Sequence, residues 1–387
     1  MQCKCLQSDL AATLKKVDAA VSRKNVIPSL SGVLLEAAPG KLRVYATDLD
    51  VGVEVFVPAE VKAEGRALPL FRVFKGIVTS LPEGELELAV DSNTNRLLLE
   101  QDKKRYSFDL MDPEFFPVFP DVTNTEMFSL RAGDLLWAVR AVSPAADNET
   151  VANMFSVFSC ILIERDREKE VLRFVASDKR RMAIAEAPWV TREEGEASGK
   201  ELLFPAMFSK ALTGLLSSPA DDGAYVEVRF NDSFIVVRTG NGDGFFARLG
   251  RGTYPDYHMI LPPKDIEVFT VDVGLLKSAL ERAIIMLDSD ASIKSDFSVI
   301  EMEARAGFLI VKAWKDPSLC YEEIAISGGN TDIELKTGAN PKYLMDAVRP
   351  LNGNVIMALP PQTKLIMVKD PEKYMHLVLP VNLNAAP

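Results

Sequence analysis

Three stretches decide the fold: PLFRVFKGIVTSLPEG at 69–84, PAMFSKALTGLLSSPADDG at 205–223 and NPKYLMDAVRPLNGN at 340–354. Their prolines, Pro69, Pro205 and Pro341, stand at equal intervals of 136 residues, 69 to 205 and 205 to 341. Each precedes a run with helical apolar spacing, and proline suits a first helical turn, where no amide donor is required. Gly84, Gly223 and Gly353 then release the chain into a strand. A period of this size signals a domain-sized repeat.

A second helix lies upstream in each copy, entered from a short alternating strand. Leu10, Leu14, Val17 and Val21 repeat at amphipathic spacing; so do Leu135, Ala138, Val139 and Val142, and again Leu276, Leu280, Ala283 and Leu287. The six helices are expected over 8–24, 69–80, 133–143, 205–218, 274–288 and 340–350. Strands of period two fill the intervals. Leu42-Arg43-Val44-Tyr45-Ala46-Thr47-Asp48 parallels Leu172-Arg173-Phe174-Val175-Ala176-Ser177-Asp178, and Leu309 to Asp316 follows more loosely. The closing aspartates read as turn residues that bond their own backbone. Further hairpins are expected at 86–110, 225–249 and 355–381, with Gly240–Gly244 as one turn and 191–200 as a surface loop. The fold class is therefore α+β: three tandem copies, 1–122, 123–264 and 265–387, each a doubled βαβββ unit with helices on one side of antiparallel sheets.

A linear array of such copies leaves sheet edges open, here along Arg105-Tyr106-Ser107-Phe108-Asp109-Leu110. Head-to-tail pairing with another chain removes those edges and closes a ring. Charge is sorted by element: the six helical segments carry +6, and the rest of the chain −17 of the total −11. A bulk charge of −11 excludes gripping of nucleic acid or anionic membrane by the whole surface. It leaves room for a mildly basic helical face.

Composition bounds the rest. With 387 residues, 48% apolar and 26% charged, the chain can build sizeable cores. Cys3, Cys5, Cys160 and Cys320 read as reduced structural thiols. The N-terminus lacks the apolar core of a signal peptide, and no run is long enough to span a membrane, so a cytoplasmic protein is expected. Of the two histidines, His376 alternates in a strand as a structural residue, and His258 sits in a loop. Neither has metal-ligand spacing to a neighbour. No phosphate loop, dinucleotide fingerprint or nucleophile elbow is present. No enzyme, metal or cofactor is expected.

In Ile27-Pro28, Ala46-Thr47-Asp48-Leu49, Leu81-Pro82-Glu83-Gly84, Ala176-Ser177-Asp178-x-x-Arg181-Met182-Ala183, Gly252-Thr253-Tyr254-Pro255-Asp256-Tyr257 and Leu379-Pro380-Val381, in this order and within a threefold repeat, the chain resembles the bacterial sliding clamp, the beta subunit of DNA polymerase III. The resemblance runs from residue 1 to about 383. It implies a non-catalytic homodimeric ring of six similar domains around duplex DNA, which confers processivity by topology. For the inner wall it implies Lys15, Lys16, Arg23, Lys24, Arg72, Lys75, Arg140, Lys210, Lys277, Lys342 and Arg349, which would meet DNA. It also implies an apolar cleft for short peptides of the polymerase III alpha subunit, clamp-loader subunits, other polymerases, mismatch-repair proteins and ligase. That cleft would use Phe158, Ser177, Lys179, Arg181, Met182, Pro255, Ile260, Asn340, Tyr343, Val378, Leu379, Pro380 and Val381, with Arg181 and Asn340 fixing the peptide ends. At the ring interface Tyr106 and Phe108 would meet Ile285 and Met286 of the second chain. The chain departs from the family at Lys179-Arg180, where Gly-His is common, at Val381-Asn382, at Ser156-Val157, where DNA-touching aromatics are usual, and in the extra residues 384–387. Two basic residues at the rim favour acidic flanks in a partner peptide. A monomeric peptide-docking adaptor that does not encircle DNA is the alternative.

Overall fold

The order of elements repeats three times. A computed structural model describes residues 1–22, 27–122, 126–147, 156–166, 168–190, 201–217, 223–263, 266–287, 298–329, 335–361 and 364–383. The first copy runs β1 Gln2–Leu6, α1 Gln7–Val17, β2 Leu34–Ala38, β3 Lys41–Thr47, β4 Val51–Pro58, β5 Glu60–Ala63, β6 Gly65–Pro69, α2 Phe71–Ser80, β7 Glu85–Asp91, β8 Arg96–Gln101 and β9 Lys104–Met111. The second runs β10 Glu126–Arg131, α3 Ala132–Val142, β11 Cys160–Asp166, β12 Val171–Ser177, β13 Arg181–Pro188, β14 Leu202–Pro205, α4 Ser209–Leu215, β15 Tyr225–Phe230, β16 Phe234–Arg238 and β17 Gly244–Arg248. The third runs β18 Phe269–Asp272, α5 Val273–Leu287, β19 Ile300–Arg305, β20 Phe308–Lys315, β21 Ser318–Ser327, β22 Leu335–Ala339, α6 Pro341–Val348, β23 Asn354–Ala358, β24 Ile366–Asp370 and β25 Tyr374–Val378.

The strands form two antiparallel sheets, and each sheet is the core of one compact unit. The first unit holds Met1–Leu136, Trp189, Val190 and Met207–Leu249. Its sheet runs β10-β15-β16-β17-β4-β3-β2-β6-β9-β8-β7-β1-β5. The second unit holds Trp137–Pro188 and Gly250–Pro387 with 199–206, on a sheet ordered β14-β11-β12-β13-β25-β24-β23-β18-β21-β20-β19-β22. Sheets are continuous across copies because the last strand of one copy's meander pairs with the preceding copy: β17 with β4 through Phe246↔Gly52, and β25 with β13 through Leu377↔Met182.

One cross-strand pair marks the same place in all three copies. Glu36 faces Arg43, Glu164 faces Arg173 and Glu301 faces Lys312, at 2.9, 2.9 and 3.0 Å. Opposite charges placed directly across antiparallel strands stabilise that register. The aspartates closing the first two copies' strands do bond their own backbone: Asp48 Oδ1 accepts from the amides of Asp50 and Val51, and Asp178 Oδ1 from those of Arg180 and Arg181.

Local departures from the expected pattern have physical reasons. Only Pro341 opens its helix, after the Asn340 cap. Pro69 and Pro205 instead end β6 and β14, opposite Leu110 and Cys160. A strand's last position tolerates the missing donor, and the helix starts beyond it. Helix α1 ends at Val17 in a short 3-10 turn rather than running to 24. The expected hairpins after α2, α4 and α6 are three-stranded meanders. The loop 191–200 and residues 384–387 lie outside the described residues. Cys3, Cys5, Cys160 and Cys320 are free thiols, the first three buried.

Candidate functional site

All thirteen residues expected in the cleft fall within the second unit. Phe158, Tyr343 and Leu379 meet the turn that joins β12 to β13. Ser177 Oγ accepts from the Lys179 amide at 3.1 Å and donates to the Arg181 carbonyl at 2.8 Å. With the two Asp178 bonds, this holds Lys179 at a φ of +72° and turns Arg180 outward.

Arg181 turns inward. Its guanidinium reaches Asp178 Oδ2 at 3.0 Å and Asp346 Oδ2 at 2.7 Å, donates to the Pro144 carbonyl, and lies 4.2 Å from the Tyr343 ring centre. Only 11% of its side chain is exposed. Such a bidentate, stacked geometry suits arginine and not lysine. Asn340 Oδ1 accepts from the amides of Lys342 and Tyr343 and starts α6. Arg181 and Asn340, expected to fix peptide ends, are thus engaged in building the wall, and the Tyr343 ring is half-buried over Arg181.

The other wall is the chain end. The Leu379 amide donates to the Arg180 carbonyl and the Val381 amide to the Gly338 carbonyl, each at 2.8 Å. A Cβ on Gly338 would stand 2.3 Å from the Val381 carbonyl oxygen, so glycine permits this close approach. Leu379 is exposed; Pro380 and Val381 are half-buried. Met182 and Val378 are buried, which corrects their expected role as contact residues. Met182 belongs to an apolar cluster with Cys160, Leu162, Val175, Tyr254, Tyr257 and Leu377 and forms the floor. Phe158 lies on that floor, 6.1 Å from the Tyr254 ring, and the Lys179 ammonium lies 4.7 Å from the Phe158 ring centre. Pro255 and Ile260 are exposed on the segment that follows Tyr254, as is Met259.

Sequence reasoning missed Asp346, Tyr254 and Met259. The signal for Asp346 was its spacing: Asn340, Tyr343 and Asp346 recur every three residues along one helical face. Beneath the wall His376 is fully buried, with Nδ1 2.8 Å from the Tyr374 hydroxyl. Burial, assisted by Arg181, lowers its pKa to about 3. Burial raises the Cys160 thiol to about 12, against a lowering hydrogen bond from Ser159. A small hollow lined by Val268, Phe269, Ala304, Gly307, Gly328 and Leu335 includes none of the expected residues.

The basic helix residues behave unevenly. In the first unit α1 packs beside α2 and α4. Lys15, Arg72 and Lys210 are exposed there, whereas Lys16 leans toward Asp243 at 4.0 Å and Lys75 toward Asp18 at 3.2 Å. In the second unit Arg140 is exposed and Lys342 half-buried, and Arg349 pairs with Asp346 at 3.0 Å. Lys277 is a correction: its ammonium donates to the carbonyls of Leu351 and Arg349, closing the C-terminal end of α6. Arg23 and Lys24 lie outside the described residues. Among the interface candidates Ile285 is 71% exposed, and Met286 and Tyr106 are half-buried. Phe108 is buried edge-on against Phe74, 5.4 Å between centroids, so it supports its strand from inside and does not present itself at the edge.

Among the described residues no group of three His, Cys, Asp or Glu side chains is placed to hold a metal, and no helix is long and apolar enough to cross a membrane. Fold and site together define a class: a thrice-repeated α+β sheet-and-helix chain with a partly apolar surface beside the β12–β13 turn, α6 and the chain end. Residues 1–120 match the family model of the DNA polymerase III beta subunit, N-terminal domain. Over 98% of its length and of the relative's, the chain is 26% identical to the beta sliding clamp of Synechocystis sp.. It is also 26% identical to the beta sliding clamp homolog GriR of Streptomyces muensis, over 85% of this chain and 82% of that one. Among solved structures it overlays the sliding clamp of Bacillus subtilis with a TM-score of 0.84 at 20% identity, over 99% of both chains. It overlays the Pseudomonas aeruginosa DNA polymerase III subunit beta bound to griselimycin with a TM-score of 0.85 at 22% identity, over 99% of this chain and 100% of that one. These relatives and solved structures are bacterial sliding clamps or a homolog of one, matched over 85 to 99% of this chain.

Proposed function

We propose that the chain is a DNA sliding clamp: a homodimeric ring that encircles duplex DNA and tethers the replicative polymerase and other replication and repair proteins. The observation that carries this reading is the threefold repeat of one sheet-and-helix unit, end to end, in a chain whose relatives over nearly its full length are beta sliding clamps. Three clamp domains, 1–122, 123–264 and 265–387, follow from the repeat. Among the described residues two strands keep an open side suited to closing the ring. β9 pairs with β8 along Lys104–Asp109 and meets β6 only at Leu110 and Met111. β21 pairs with β20 along its length and meets β18 only at Ile326 and Ser327. The first edge carries Lys104 and Arg105, the latter paired with Glu100, and the second Glu323 beside Glu322, which pairs with Arg282, so Lys104 and Glu323 would complement each other in a head-to-tail pair. Tyr106, supported from within by Phe108, would meet Ile285 and Met286 of the second chain.

Exposed Lys15, Arg72, Arg140 and Lys210 would touch the duplex weakly, with Arg23, Lys24, Lys342 and Arg349 as further contacts. Phosphate contacts of this kind position without reading sequence and permit sliding. The surface around Phe158, Lys179, Pro255, Ile260, Tyr343, Leu379, Pro380 and Val381 would take a short apolar peptide from the polymerase III alpha subunit, clamp-loader subunits, other polymerases, mismatch-repair proteins or ligase. An apolar surface with a few fixed polar groups suits such capture. The protein performs no catalysis, needs no cofactor and works in the cytoplasm. The test is primer extension on a singly primed circle with a clamp loader and polymerase. Adding the protein should lengthen products at a single polymerase encounter; unchanged length would refute the reading.

A further inference from the structure

We infer that the face of β20 and β21 turned away from α5 docks a partner protein through an extended segment of the pattern aromatic-Pro-x-aromatic. The three copies share this sheet face, and two of them show what covers it. The ion pairs Glu36–Arg43, Glu164–Arg173 and Glu301–Lys312 mark equivalent positions on it. Two residues beyond each cation, on the same face, stand Tyr45, Val175 and Trp314. Directly across from these lie Glu54, Ile184 and Leu319.

In the first copy the segment Phe116-Pro117-Val118-Phe119 covers the face. Phe116 meets Tyr45 edge-on with 5.4 Å between centroids, and Phe119 lies 5.8 Å from the same ring. In the second copy Tyr254-Pro255-Asp256-Tyr257 does so. Both tyrosines pack with Leu162, Val175 and Ile184, and the Tyr257 hydroxyl donates to Glu164. Tyr45 and Val175 are fully buried in consequence. The pattern aromatic-Pro-x-aromatic occurs at these two places in the 387 residues, each time on this face. In the third copy Trp314 is 45% exposed and Leu319 62%, with Tyr321 exposed one step along the same face. Among the described residues no such segment covers them. Pairing of another chain along the β21 edge would leave them bare as well. Strand side chains alternate between faces, and Glu322, which meets Arg282 of α5, faces the helix, so Leu319 and Tyr321 face away from it. An exposed tryptophan, leucine and tyrosine side by side form the kind of apolar patch that marks an interaction site. The two covered copies supply the chemistry of its occupant.

The test uses the full chain and a fluorescent peptide with the sequence of 112–122. The chain's own copy of that segment fills the first face, so the peptide is offered the third. It should bind, read by anisotropy, and shift tryptophan emission to the blue as Trp314 leaves water. The same peptide with alanine for both aromatic residues of its pattern should not bind. Trp314→Ser and Leu319→Ser together should weaken binding about tenfold or more, the scale of one lost aromatic anchor. Both positions are exposed, and an unchanged urea midpoint checks that the variant folds. No binding at millimolar peptide, or binding without an emission shift in the unaltered protein, would overturn the inference. Affinity lowered by Tyr343→Ala and not by the double variant would assign the peptide to the cleft and overturn it too. Assembly beyond a dimer in sedimentation equilibrium, abolished by the double variant, would assign the face to a second copy of the chain and overturn the partner reading.

Discussion

Two junctions in this molecule are built to one plan and filled differently. Where β17 meets β4, Gly52 faces Phe246 and Val53 faces Phe245; where β25 meets β13, Met182 faces Leu377 and Ala183 faces His376. At the first junction Phe246 lies so close that a Cβ on Gly52 would stand 2.1 Å from its ring, and Phe119 meets that ring edge-on at 5.2 Å. Aromatic rings close it: Tyr45, Phe116, Phe119 and Phe246 belong to one cluster. At the second, Met182 lies flat in the floor, Arg181 ties Asp346 and Tyr343 into a wall, and a buried histidine stands where the first has Phe245. Identical backbone registers therefore support an aromatic core in one place and, in the other, an apolar core beneath an arginine-tied wall. The difference lies in side-chain volume and charge alone.

Breaking the difference at His376 should have the largest effect. Its folded pKa of about 3 lies below the ordinary value of 6.5, so the unfolded chain binds a proton the folded chain refuses. Stability is intact above pH 6.5 and is lost as pH falls toward 3, by up to about 1.4 kcal/mol per pH unit for one proton. His376→Phe, which copies the first junction, should flatten the fall of the urea midpoint between pH 6.5 and 4. An unchanged slope would show that the histidine does not titrate on unfolding. Next, Met182→Ala should cost about 2–4 kcal/mol through the cavity left in the floor. Gly52→Ala should cost about 1–3 kcal/mol because Phe246 must move. Equal and negligible losses in urea unfolding would erase the packing contrast. Because Met182 is core, Met182→Lys tests folding, and Tyr343→Ala is the cleaner probe of docking. Third, Asp346→Ala should cost about 2 kcal/mol by stripping the mostly buried Arg181 of a partner. Its counterpart is Asp50→Ala, which breaks a half-exposed pair with Arg248 and should cost about 0.5 kcal/mol. Gly338→Ala, whose Cβ would stand 2.3 Å from the Val381 backbone carbonyl, should displace the chain end, and peptide affinity, measured by anisotropy, should fall.

The repeat was legible in the sequence because proline spacing, helical periodicity and alternating strands are local signals. Lys179 and Arg180 also stood out as departures from a resembling pattern. The inward turn of Arg181 was not legible, because it depends on Asp346, far away in the chain, and on the Asn340 cap that aims α6. The burial of Phe108 escaped for the same reason: alternation put Tyr106 and Phe108 on one face, and only the packing of Phe74 distinguishes them. Lys277, expected on the inner wall, instead reaches the carbonyls that follow α6, a contact between residues far apart in the chain.

The central claim is topological. The most direct measurement loads the protein onto nicked circular DNA, separates it from free protein by gel filtration, and repeats the passage after the circle is linearised. Retention on the circle at several times physiological salt, with loss from the linear form, is the predicted result. Equal retention on both forms, or loss from both as salt rises, would contradict an encircling ring.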